Sequence, residues 1–278
     1  MHFTRGKPAM VRAAALAFRR LKYAVVAPVV SGVMARTSWL DGTDAPPKAL
    51  NYAADGDFIS QGDELVVALR RDFTLGEGVR ILDIGCGIGR IATALRRAGS
   101  DVRYSGFDIV KYGILWCQKK LSERDGYHFT HADIFNPFYN PRGRIDPCAY
   151  VFPYPDKSFD LLIAVSVYTH LLEAETRAYF AQSMRVMDST GKAYFTTFLV
   201  DDDIPPQAHF AFQHRIGAAF IERMEEPEMA VGYSLAFWEA LAAQHGARIS
   251  KVNPGSWRGQ QGLKDYQDCL IFEKVEQT

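Results

Sequence analysis

Hydrophobic positions fall into short runs whose period switches between strand-like and helix-like along the chain. Val79 to Ile84 is an apolar run of strand length, and Ile91 to Ala98 reads as a helix closed by Gly99. Before this pair, Ser60 is placed to cap a helix from Gln61 to Phe73, with Asp63 and Glu64 in its first turn. After it, Asp101 to Asp108 predicts a strand, Val110 to Leu121 a helix and Tyr127 to Ile134 another strand. Phe159 to Val165 is nearly continuous apolar, as a strand covered on both faces must be. A helix over Glu173 to Met187, a strand over Gly191 to Phe198 and a Ser234-capped helix to Gln244 follow. Two last strands are predicted at Ala247 to Val252 and Gln267 to Glu273. Strands alternating with helices predict an α/β, doubly wound fold.

Three stretches stand outside that alternation. Residues 8–25 set Val11, Ala14, Phe18, Leu21 and Val25 on one helical stripe, away from Arg12, Arg19 and Arg20, and Pro28 is expected to break or end the helix. The apolar run from Tyr23 to Ala35 is shorter than the ~20 residues that a membrane span needs. Residues 135–158 hold five prolines and many aromatics, which suggests an ordered loop. Residues 199–232 read as an insertion, either a cover for an acceptor or a surface helix without chemistry. The predicted organisation is a basic segment over 1–40, a linker over 41–59 and one domain over 60–278.

Composition changes this picture in two places. The formal net charge of zero argues against a nucleic-acid partner. Yet the first forty residues carry seven cations and no anion, leaving 25 basic against 32 acidic residues over the rest. That start has three readings: a helix packed on the domain with a solvated basic face, a helix lying on an anionic membrane, or a targeting segment. Cys86, Cys117, Cys148 and Cys269 are far apart, which fits a reducing, cytoplasmic compartment and neither a disulfide framework nor a zinc site. No metal is expected.

The chemistry centres on Leu82-Asp83-Ile84-Gly85-Cys86-Gly87-Ile88-Gly89. Glycines let the backbone reverse and a ligand lie against bare amides at a helix N-terminus, with Cys86 supplying a small side chain. Gly87 to Ala92 also fits the dinucleotide fingerprint, with Asp108 about twenty residues on. Against NAD stands Asp83, whose carboxylate would repel a pyrophosphate but not a cationic sulfonium with its ammonium group. An acid followed by G-x-G-x-G resembles the first motif of class I S-adenosylmethionine (SAM) methyltransferases. Asp108 can accept two hydrogen bonds from a ribose diol, or cap the helix after it. Ala132-Asp133-Ile134 resembles the family motif whose acid takes the adenine amino group. Ile109 and Ile134, the neighbours of those acids, join the cofactor-binding set.

The resemblance runs from about residue 60 to 275. It implies a seven-stranded sheet, mostly parallel with an antiparallel last strand, helices on both faces, and a cover over SAM from the Tyr52 to Gly62 region. Ser166-Val167-Tyr168-Thr169-His170-Leu171 resembles the S-x-x-T-H-L form of the fourth motif, which puts Ser166 at the cofactor. His170 is the leading general base, with His209 and His214 behind it, and Tyr168 either positions the acceptor or packs. The N/D-P-P signature of amine-methylating enzymes is absent. A small-molecule or sugar (glycan) hydroxyl is therefore the expected acceptor. A lipid-linked acceptor at a membrane, with contact through residues 8–25, a SAM-binding protein without transferase activity and an NAD-linked oxidoreductase stay open.

Overall fold

The computed structural model describes residues 22–34, 44–48, 50–52, 56–121, 126–201 and 203–275. Most of the stripe predicted over 8–25 lies outside these residues, as does part of the 41–59 linker. Six α-helices are present among the described residues: α1 (Ala27–Met34), α2 (Phe58–Asp72), α3 (Arg90–Arg97), α4 (Lys111–Lys120), α5 (Glu173–Val186) and α6 (Leu235–Gln244). Seven strands form the main sheet: β1 (Val79–Ile84), β2 (Val102–Asp108), β3 (Tyr127–His131), β4 (Phe159–Ala164), β5 (Met187–Thr197), β9 (Ala247–Asn253) and β10 (Asp268–Lys274). Three short ones, β6 (His214–Ile216), β7 (Ala219–Ile221) and β8 (Val231–Gly232), form a second sheet.

The main sheet has the order β3-β2-β1-β4-β5-β10-β9. Pairs β2–β3, β1–β4 and β4–β5 are parallel, whereas β10 runs antiparallel to both β5 and β9. This is the expected seven-stranded sheet with its antiparallel last strand, β10, inserted between β5 and the edge strand β9. The order turns back at β1, and in such sheets a ligand is held beyond the carboxyl end of that strand. By contacts the chain divides into two compact units, one of the described residues up to Gly78 with Gly85–Pro147, the other of Val79–Ile84 with Cys148 onward.

In the first unit, α2 starts three residues earlier than predicted. Asp57 caps it, its carboxylate taking the Ser60 N–H at 2.8 Å and the Ser60 hydroxyl at 2.9 Å. Ser60 is thus inside the helix, and Asp63 and Glu64 lie beyond the first turn. Pro28 does not end a helix as expected. A π-helical turn, Lys22–Val26, runs straight into α1, so the helix type changes just before Pro28 and the chain stays helical through it.

In the second unit, β1 and β4 are joined near their start by Arg80. Its backbone N–H and Nε donate to Asp160 at 2.8 and 3.0 Å, and its Nη2 reaches Asp188 at 3.2 Å. Tyr168, Phe180, Phe195, Trp238 and Phe272 pack edge-on or tilted in the core between β5, β10, α5 and α6. The 199–232 insertion holds the antiparallel β6–β7–β8 sheet rather than a surface helix. The reason is a two-residue hairpin, with Gly217 at φ +59° and the Ala218 N–H held by Glu173 at 2.7 Å.

The buried Asp268 at the start of β10 is a node that the sequence did not announce. Its carboxylate takes the N–H groups of Leu199 (2.8 Å), Gly255 (2.8 Å) and Trp257 Nε1 (2.6 Å). Burial pushes its pKa up and those donors oppose the shift. Asp268→Asn turns an amide NH2 toward N–H donors and is expected to cost about 3 kcal/mol. Urea unfolding checks this: an unchanged midpoint would show that the loop is pinned elsewhere.

Candidate functional site

The turn after β1 exists because glycines occupy it. Gly85, Gly87 and Gly89 have φ of +69°, +62° and +81°, a left-handed run that side-chain-bearing residues adopt only under strain. Gly89 is also sterically required, since a Cβ there would lie 2.7 Å from Cys117 Sγ. Cys86 is buried, its N–H bonded to the Phe107 carbonyl at 3.0 Å. A Cβ on Gly106 would lie 2.8 Å from that of Cys86, so both positions demand small residues.

Asp108, the last residue of β2, is buried and ties this turn down. Its Oδ2 accepts the Gly87 N–H at 2.9 Å, and its Oδ1 accepts the Val110 N–H at 2.8 Å and the Tyr52 hydroxyl at 3.0 Å. Burial pushes its pKa up, against these donors. The carboxylate satisfies the N–H of Val110, which is itself the N-cap of α4, and presents an acceptor-only group beside bare glycine amides. The pieces fit a nucleoside with a diol.

Tyr52 is the residue whose role the sequence left unspecified within the Tyr52 to Gly62 cover. Its ring meets Tyr23, Tyr112 and Tyr139 at centroid distances of 6.4, 5.4 and 6.4 Å. Burial of the phenol and the charge of Asp108 push its pKa well above the ordinary value. Its oxygen reaches a notch with no side chain, because a Cβ on Gly113 would lie 2.5 Å from it and 3.0 Å from the Gly87 carbonyl. Nothing in the pattern of residues marked Tyr112 or Tyr139 as its neighbours.

Asp133 is less enclosed. Its carboxylate accepts from Arg144 Nε at 2.6 Å and lies 3.5 Å from Asn140 Nδ2. Burial raises its pKa, but Arg144, Asn140 and His131 together outweigh that, so the group sits below the usual carboxylate range. Arg144 and Asn140 come from the proline-rich loop, which thereby reaches one predicted cofactor residue. Ile109 accepts from His131 Nε2 through its carbonyl at 3.2 Å, and Ile134 is buried, bridged to Ile145.

The second unit carries the other predicted residues. Asp83 is buried near the end of β1. Ser166, just past β4, has φ +58°, a strained value for a serine and a mark of functional turns. Its N–H bonds Thr196 Oγ1 at 2.8 Å, and its hydroxyl donates to Gln267 Oε1 at 3.0 Å, which also takes Thr196 Oγ1 at 2.6 Å. Tyr168 is wholly buried, its hydroxyl 3.4 Å from Ser183 Oγ, so of its two readings the geometry supports packing. His170 is partly exposed, and its Nδ1–H donates to the Glu228 carbonyl at 2.8 Å. A carbonyl only accepts, so the neutral ring keeps its lone pair on Nε2. His209 bonds the Tyr266 hydroxyl at 2.8 Å, and His214 is exposed on β6.

Residues 82–195 match the family model described as a methyltransferase domain. That segment, with the sheet order above, is thus similar to a class I SAM-dependent methyltransferase domain. Among curated relatives, the fatty-acid O-methyltransferase of Mycolicibacterium smegmatis is 29% identical over 46% of this chain and 40% of its own length. The phthiotriol/phenolphthiotriol dimycocerosates methyltransferase 1 of Mycobacterium ulcerans is 27% identical over 46% and 40% respectively. The chain thus spans about two fifths of the relatives it matches. The fold also resembles phosphoethanolamine N-methyltransferase 1 of Haemonchus contortus, with a TM-score of 0.54 at 14% identity, covering 100% of this chain and 52% of that one.

At the glycines of this chain, backbone strain and side-chain contact are separable. Gly99 shares a positive φ of +64° with nothing within 4 Å of its Cβ position, whereas Gly89 adds the sulfur contact. Gly99→Ala is expected to cost about 1 kcal/mol and Gly89→Ala about 3 kcal/mol in urea unfolding. Equal losses would mean that Cys117 moves aside freely.

Proposed function

We propose that this methyltransferase moves the methyl group of SAM to a hydroxyl oxygen of a lipid-like small molecule. The observation that carries the cofactor half is the buried Asp108, locked to the Gly87 N–H inside three left-handed glycines. There it can take ribose hydroxyls, while Asp133, kept ionised by Arg144 and Asn140, can accept from the adenine amino group. When bound, SAM supplies a methyl already activated on a sulfonium, so no acid is needed at the leaving group. Positioning of the acceptor then matters most, and removing its proton second. The curated relatives are named for lipid acceptors, which favours a lipid over the glycan that the sequence also allowed.

His170 decides between two kinds of acceptor oxygen. A fatty carboxylate is already ionised near neutrality and gains nothing from a base, whereas an alcohol must lose its proton during transfer. Holding Nδ1–H on the Glu228 carbonyl keeps the ring in the tautomer whose Nε2 can accept that proton. His170→Ala is expected to lower kcat on a hydroxyl-bearing lipid by roughly 10²–10⁴. On a fatty carboxylate kcat should stay within a few fold. An equal, small effect on both acceptors contradicts the assignment.

A second reading, delivery of the acceptor from a membrane surface, is favoured by one observation. Val25, Val26, Val29 and Val33 are 48%, 48%, 63% and 46% exposed on adjoining helical positions, while Tyr23, Ser31 and Met34 are buried. Arg19, Arg20 and Lys22 precede this apolar face and Arg36 follows it, which is the charge that an anionic bilayer attracts. Among the described residues no helix is long and apolar enough to cross a membrane. Val29→Glu with Val33→Glu is expected to reduce co-sedimentation with phosphatidylglycerol vesicles several-fold without lowering Tm. Unchanged co-sedimentation, or none by the unaltered chain, removes this reading.

A further inference from the structure

Asp108 has more suitors than places. A carboxylate offers about four lone-pair sites. Four donors already face them: the Gly87 N–H at 2.9 Å, the Val110 N–H at 2.8 Å, the Tyr52 hydroxyl at 3.0 Å and, more weakly, the Ile109 N–H. A ribose diol bonding through both hydroxyls needs two, so a donor already present must give way. The backbone donors are fixed, because Gly87 is held in its left-handed turn and Val110 directly precedes α4. Only the phenol can give way by rotating a side chain. It is also the donor that a sugar hydroxyl imitates: neutral, a single O–H, and bonded to the same oxygen.

We infer that Tyr52 is a competitor of the cofactor ribose, its hydroxyl occupying on Asp108 one of the two places that the diol must take. The inference rests on Asp108 as the ribose ligand. Tyr52 is suited to the part by its surroundings. The phenol oxygen enters the side-chain-free notch of Gly113 and Gly87, so it lies in the cradle itself. Its ring rests on Tyr112 at 5.4 Å and close to Tyr139 and Tyr23, aromatic faces that still offer contact after a small rotation. Tyr52 therefore sets affinity in two opposing ways: it keeps a buried carboxylate solvated by protein before the cofactor arrives, and it reduces the fraction of chains ready to bind.

The experiment is isothermal titration of the full chain with S-adenosylhomocysteine, together with ligand-free melting. Tyr52→Phe removes the competing donor and keeps the ring. The affinity should rise about tenfold, the size of a net hydrogen bond to an ionised group. Ligand-free Tm should fall, because Asp108 loses a partner. A Tyr52→Phe chain that binds more weakly, or equally, overturns the inference by making Tyr52 a supporting or a neutral wall. Asp108→Asn guards the reading underneath: unchanged affinity there would show that the ribose is held elsewhere, a separate failure. As a second measurement, a crystal structure of the unaltered chain with the ligand should show the Tyr52 oxygen beyond hydrogen-bond distance of Asp108. The phenol still on that carboxylate beside a bound ribose would overturn the inference without any variant.

Discussion

The candidate site depends on one hydrogen bond, from the Gly87 N–H to the Asp108 carboxylate at 2.9 Å. A tight turn with glycine at every second position has only the Cys86 and Ile88 side chains to anchor it, so much of its shape must be fixed from outside. Asp108 does this from the end of the neighbouring strand, with a carboxylate buried enough that losing its partners would be costly. The same bond aims the carboxylate at the turn. A group that stabilises the loop thereby also faces whatever lies on the loop.

The second unit shows the same economy with different groups. The Glu228 carbonyl, just ahead of β8, selects the tautomer of His170, and Glu173 holds the hairpin of that small sheet through Ala218. The insertion thus acts on the histidine through backbone polar groups. Asp268 ties the Leu199 and Gly255–Trp257 segments together in the way that Asp108 ties the glycine turn. Buried carboxylates taking several N–H donors recur where strands end and loops must be held.

Much of this was legible in the residues. Strand and helix runs gave the seven-stranded order of elements because β4 and β10 are buried almost throughout and the helices carry clear caps such as Ser234. The glycine turn was legible because three glycines at alternate positions have few other uses. What escaped was whatever depends on residues far apart in the chain. Tyr52 meets Asp108 across 56 residues, and Arg144 meets Asp133 from inside a proline-rich loop, contacts that no local period encodes. Pro28 misled because the preceding turn is π-helical, and Ser60 because Asp57, three residues earlier, is the better acceptor.

The central claim is that the Asp108 carboxylate holds the ribose of the cofactor. Titrating the unaltered chain with S-adenosylhomocysteine and with its 2′,3′-dideoxy form tests it most directly, since the two ligands differ only in the hydroxyls that Asp108 would accept. The account predicts that the dideoxy form binds at least about tenfold more weakly. Equal affinity for the two would contradict it.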